Sequence, residues 1–190
     1  MEKKIVRQSF YCGIITFAIC FLFALSKELS GLLIFSNILP GFFYGWVLSD
    51  LSNSEFKLKR ILFVLLSGAL FIFVAWIATG YSFFGGNTVI CFPIGSVLGS
   101  TLLLILYYLL IDNKMALARG LVVALLIGLI SSVLLFMGDN LEQHVNDYSI
   151  KGIINFGFTL LIFPVWQTLF GWTIYKLKKS YSPFVLAPVA

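Results

Sequence analysis

The sequence predicts an all-α integral membrane protein, a bundle of six transmembrane helices with both termini on the cytoplasmic side. Three observations carry that expectation. First, 60% of the 190 residues are hydrophobic and only 11% are charged, with a mean hydropathy of +1.01. Soluble domains are roughly half apolar and a quarter charged. Second, six runs are apolar enough and long enough, at about 20 residues, to cross roughly 30 Å of hydrocarbon at 1.5 Å per residue. They cover residues 8–25, 31–49, 61–79, 88–111, 120–137 and 152–175. Third, Lys and Arg fall almost entirely on alternate connections, which is the pattern of the positive-inside rule.

Span 1 follows Lys3, Lys4 and Arg7. A basic start, an apolar run and the small residues of Ala24-Leu25-Ser26 also match a cleavable secretory signal. The next apolar run begins after only a short Ser-Lys-Glu-Leu-Ser turn, so the sequence predicts that span 1 is retained as the first arm of a helical hairpin. Span 2 contains SNILPGFFYGWVLSD, with Pro40 inside the apolar run and Gly41 and Gly45 spaced as GxxxG. Ser52 and Glu55 match a capping box, so span 3 is expected to start as a helix before the membrane and to hold Lys57, Lys59 and Arg60 at headgroup level.

The connection GYSFFGGN, residues 80–87, places Tyr81, Phe83 and Phe84 on the outer side, as an interfacial aromatic belt or as a lid over an outward cavity. Span 4 carries Pro93 and a second GxxxG at Gly95 and Gly99. Lys114 and Arg119 join it to span 5, where Gly120, Ala124, Gly128 and Ser132 repeat a small side chain every four residues. Such stripes let helix backbones approach closely in lipid, within one chain or between copies of it. The connection 138–151 is expected to be external and carries Asp139, Glu142, His144 and Asp147. Its spacing matches no zinc motif, and it reads as a solvated loop or a partner contact. Span 6 contains Pro164, and beyond it Pro183 and Pro188 prevent a continuing helix.

Counted over these connections, eleven of the thirteen Lys and Arg lie on one side; Lys27 and Lys151 alone lie on the other. The net charge of +5 is therefore a topology signal with a weak pull toward anionic lipid, and dispersal over four short segments removes any need for a nucleic-acid partner. Cys12, Cys20 and Cys91 all fall inside spans, where Cys acts as a small apolar residue.

No Asp, Glu, Lys, Arg or His occurs within the spans; Asp50 and Asp112 stand at the cytoplasmic ends of spans 2 and 4. Proton relays and ion-coupled pumps use ionisable groups inside the membrane. Catalysis needs a base, an acid or metal ligands, and Ser96, Ser100, Ser131 and Ser132 have none beside them in any span. The sequence thus predicts neither an enzyme nor a cofactor or metal site.

The prolines carry the most specific expectation. Pro40, Pro93 and Pro164 occur only in spans that descend from outside to inside, and each frees a backbone carbonyl four residues earlier. Uncharged polar residues gather near them, including Asn37, Ser96, Asn155 and Gln167. With Trp46 and Trp166, these would line a polar, uncharged, outward-opening cavity for a small neutral or zwitterionic solute, if the three helices face one another. The ordinary alternative is kinked helices whose amides bond between helices.

The six-span layout resembles the substrate-binding membrane subunits of vitamin importers, without a shared motif, and the small basic-inside form resembles bacteriocin immunity proteins. The resulting expectation is a multi-pass protein of the cell membrane that takes part in small-solute transport without ion coupling. The alternatives are a non-transporting immunity, regulatory or assembly subunit bound to a membrane partner, or a homo-oligomeric pore.

Overall fold

A computed structural model describes residues 2–25, 39–50, 57–77, 88–142 and 160–180. Among these residues the chain is helical, with α1 Glu2–Leu25, α2 Leu39–Asp50, α3 Lys57–Ala75, α4 Thr88–Leu110, α5 Leu117–Glu142 and α6 Ile162–Ser180. Three helices are long and apolar enough to cross a membrane, over Lys4–Leu22, Lys57–Ala75 and Ile90–Leu110; α5 is apolar over the shorter stretch Leu117–Val133.

Several boundaries differ from those expected. The start of helix α3 is not among them, since it carries Lys57, Lys59 and Arg60 in its first turn as expected; Ser52 and Glu55 of the anticipated cap lie outside the described residues. Helix α5 does not stop at residue 137: it continues through Gly138, Asp139 and Glu142. Nothing in GDNLE forbids a helix, and 26 residues extend about 39 Å at 1.5 Å each, more than a bilayer core. Helix α6 similarly runs on through Lys176, Lys178 and Lys179.

The helices pack in chain order, and α6 closes onto α1 to complete a ring. Lipid is as apolar as leucine, so burial of apolar area supplies little drive between helices; close backbone approach and hydrogen bonds must hold them. Glycines provide that approach. A Cβ on Gly41 would lie 2.7 Å from the Ser67 carbonyl oxygen, and one on Gly45 would lie 2.8 Å from Ser67 Cβ, both on α3. A Cβ on Gly128 of α5 would lie 2.6 Å from Val97 Cα of α4, and one on Gly13 of α1 would fall on Pro164 of α6. Gly120 sits under Leu104 and Leu177, Gly99 faces Val74, and Gly95, Ala124 and Ser132 are buried.

These contacts also set direction. From Gly13 to Ser9, the partner on α6 moves from Pro164 to Gly171, so α1 and α6 are antiparallel. The same reading holds for α2 with α3, through Gly41 and Gly45, and for α4 with α5, through Gly120 and Gly128. Ion pairs tie the shared end: Arg60 Nη2 reaches Asp50 Oδ1 at 2.9 Å, and Lys178 Nζ reaches Asp112 Oδ2 at 3.6 Å. The basic segments at the start of α1, the start of α3, the α4–α5 connection and the end of α6 therefore share one end of the ring.

The outer surface is apolar, with Ile15, Leu22, Leu58, Trp76, Leu109, Leu126 and Ile130 among many exposed large side chains. A soluble monomer rarely leaves such continuous apolar area uncovered. Serine and threonine hydroxyls inside the helices mostly bond back to their own backbone, as Ser67 does to the Phe63 carbonyl and Thr173 to that of Leu169.

Candidate functional site

The polar centre of the molecule lies where α1, α2 and α6 meet. On α1, Ile5, Ser9, Cys12, Thr16 and Cys20 are buried; spacings of three and four put them on one face. On α6, Pro164 and Gly171 press against that face. Pro164 has no N–H to offer the Leu160 carbonyl, and the chain makes a turn at Leu161 before α6 proper begins. Gln167 lies between Pro164 and Gly171 in sequence and is wholly buried.

Tyr44 enters from α2. Its hydroxyl donates to the Gln167 backbone carbonyl at 2.6 Å and would lie 3.5 Å from a Cβ on Gly171, the residue that also touches Ser9. Tyr44, Ser9 and the Gln167–Gly171 turn thus converge. Aromatic rings fill the space beside them: Tyr44 and Trp166 meet edge to face with centroids 5.5 Å apart, Trp166 stacks on Phe170 at 5.4 Å, and Phe71 of α3 meets Trp166 at 5.8 Å. Trp166 Nε1 donates to Ser100 Oγ at 2.8 Å, and Ser100 donates to the Ser96 carbonyl at 2.9 Å, which ties α6 to α4.

Against this well-bonded ring cluster, the α1–α6 seam holds polar atoms with no hydrogen-bond partner among the described residues. They are Oε1 and Nε2 of Gln167; the nearby hydroxyls of Ser9 and Thr16 lie within weak hydrogen-bonding reach of the Tyr44 hydroxyl and the Cys12 thiol, respectively. Leaving a buried donor or acceptor unsatisfied costs about 1–3 kcal/mol, so a buried amide with neither end bonded is unusual. Together these atoms offer donors and acceptors but no formal charge. Among the described residues no three His, Cys, Asp or Glu side chains come together as a metal site would require.

The residues expected to share a cavity are placed differently from one another. Trp166 and Gln167 lie in this centre. Ser96 takes part through its backbone carbonyl. Pro40 is buried near the start of α2, Pro164 faces α1, and Pro93 is half-buried within α4. Trp46 is 67% exposed on the outer face of α2, away from Trp166; it and Tyr44 are two residues apart, and a helix turns about 200° in that step. Asn37 and Asn155 lie outside the described residues, as do His144 and Asp147. Asp139 and Glu142 belong to the last turns of α5.

Tyr44, Ser9 and Thr16 were not singled out by sequence reasoning. A signal existed for the last two, since Ser9, Cys12, Gly13, Thr16 and Cys20 form a stripe of small and weakly polar residues at helical spacing. Tyr44 carried none, being one of eight tyrosines in an aromatic-rich chain.

Compared with family models, curated proteins and solved structures, the chain matches none.

Proposed function

We propose that the protein is a six-span cell-membrane protein, with its basic end in the cytoplasm, that takes part in moving a small uncharged or zwitterionic solute without ion coupling of its own. One observation carries the reading: Gln167 is fully buried, and neither end of its side-chain amide has a partner among the described residues. An amide held in that state costs stability, and a bound solute or water that bonds to it offsets the cost. The lack of ionisable groups within the spans agrees with a neutral cargo and argues against a proton or sodium couple.

In this conformation the rings of Tyr44, Phe71, Trp166 and Phe170 pack on one another and Gln167 is wholly buried, so the proposed pathway is shut. Opening requires those rings to change rotamer, with the Tyr44 bond to the Gln167 carbonyl as the latch.

The test is osmotic swelling of proteoliposomes in glycerol, urea and glycine betaine, read by stopped-flow light scattering. At least one solute is expected to enter faster than into protein-free vesicles, independently of any sodium or proton gradient, and Gln167→Leu is expected to slow it. Entry at the protein-free rate for every solute, or full activity in Gln167→Leu, would count against the proposal.

A further inference from the structure

On the outer face where α2 meets α3, the structure has a groove of about 360 Å³, within the size range of small-ligand sites. Its walls are Trp46 from α2 and Ile61, Val64 and Leu65 from α3; its mouth, at the basic end of the ring, holds Lys57 and Arg60. We propose that this groove binds one anionic glycerophospholipid, with its phosphate at Lys57 and Arg60 and one acyl chain along Ile61, Val64, Leu65 and Trp46.

Three features support that occupant. The groove is amphiphilic along its length: charge is confined to one end, and beyond Ser49, whose hydroxyl donates to the Trp46 carbonyl at 2.8 Å, the rest is apolar. Its orientation matches a lipid, because Lys57 and Arg60 occupy the first turn of α3 and Val64 and Leu65 lie one to two turns further in. Charge is available at the mouth. Lys57 makes no ion pair among the described residues. Arg60 spends one Nη2 contact on Asp50 and keeps further guanidinium donors. Among the described residues Asp50 is the acidic group that pairs at this mouth, against the two cations Lys57 and Arg60, so the local balance favours an anion. The Trp46 indole, 67% exposed, lies where an aromatic ring commonly sits at the boundary of headgroup and chain. The close approach at Gly45 and Ser67 brings the two helices together behind the groove and fixes its floor.

This inference rests on the membrane reading of the chain but not on solute transport, and the experiment separates the two. The full chain is reconstituted in vesicles of dioleoyl-phosphatidylcholine containing small fractions of brominated phosphatidylglycerol or brominated phosphatidylcholine, and tryptophan quenching is followed. Phosphatidylglycerol is expected to quench preferentially, and the preference should vanish in Trp46→Phe, which removes the reporter in the groove. Each cation at a headgroup surface contributes about fivefold in affinity, so Lys57→Gln with Arg60→Gln should weaken the preference by about 25-fold. Val64→Phe should fill the groove without adding a fluorophore and remove the preferential quenching of Trp46 by phosphatidylglycerol. In detergent, inorganic phosphate should not raise the thermal midpoint, whereas phosphatidylglycerol should.

Equal quenching by the two lipids, or an unchanged preference in the double variant, would overturn the proposal. So would protection by phosphate alone. Disulfide dimers formed readily by Leu65→Cys would assign the groove to a second copy instead. Failure of the chain to float with vesicles would instead overturn the membrane reading itself.

Discussion

At the scale of single residues, Gln167 and Tyr44 make opposite predictions from the same small region. Tyr44 is bonded and packed, so Tyr44→Phe removes one hydrogen bond to the Gln167 carbonyl and should cost about 1 kcal/mol. Gln167 is buried and its amide has no partner among the described residues, so Gln167→Leu removes a desolvated polar group and should leave the thermal midpoint unchanged or raise it. Measured by thermal unfolding in one detergent, a fall for Gln167→Leu as large as that for Tyr44→Phe would mean that the amide is already satisfied, by the chain or by bound water. Trp166→Phe should be mild by comparison. Ser100 keeps its bond to the Ser96 carbonyl when the indole N–H is lost, and a phenyl ring retains much of the contact with Tyr44 and Phe170.

At the scale of helices, the glycines separate into those that meet backbone and those that meet flexible side chains. Gly13→Ala would drive a methyl into the Pro164 backbone, and Gly128→Ala would drive one into Val97; both should destabilise their helix pairs by about 1–3 kcal/mol. Gly99→Ala meets only the Val74 side chain, at 3.3 Å. That methyl can be accommodated, and alanine gains helix propensity of up to about 1 kcal/mol, so this variant should be near neutral. Denaturant titration of the three variants checks the order. The glycine and alanine stripes were legible in the sequence as packing devices, but which helix each would meet was not. A spacing of four specifies a face and says nothing of its neighbour. Gly120 illustrates the point: it lies under Leu104 of α4 and Leu177 of α6 at once.

For the whole molecule, the shared basic end makes a topological prediction. In a background with Cys12, Cys20 and Cys91 replaced by alanine, Lys114→Cys and Lys176→Cys should react with a membrane-impermeant maleimide from the cytoplasmic side. Asp147→Cys should react only from the other side. Labelling of the first two from opposite sides would break the six-span reading, because Lys178 and Asp112 pair at one end of the ring. By itself, the sequence determined the apolar, helical class and the alternation of charge, since both follow from composition and chain order. It also marked Trp166 and Gln167 as polar or aromatic groups worth placing. Only the tertiary structure decided that α6 closes onto α1, that Tyr44 meets Gln167, and that Trp46 turns outward to a groove. The physical reason is the solvent. In water, an apolar stripe points to the core and identifies the buried face of a helix. In lipid, both faces are apolar, so hydrophobic periodicity fades and the buried face is chosen by close packing and hydrogen bonds, which exist only once the helices are side by side.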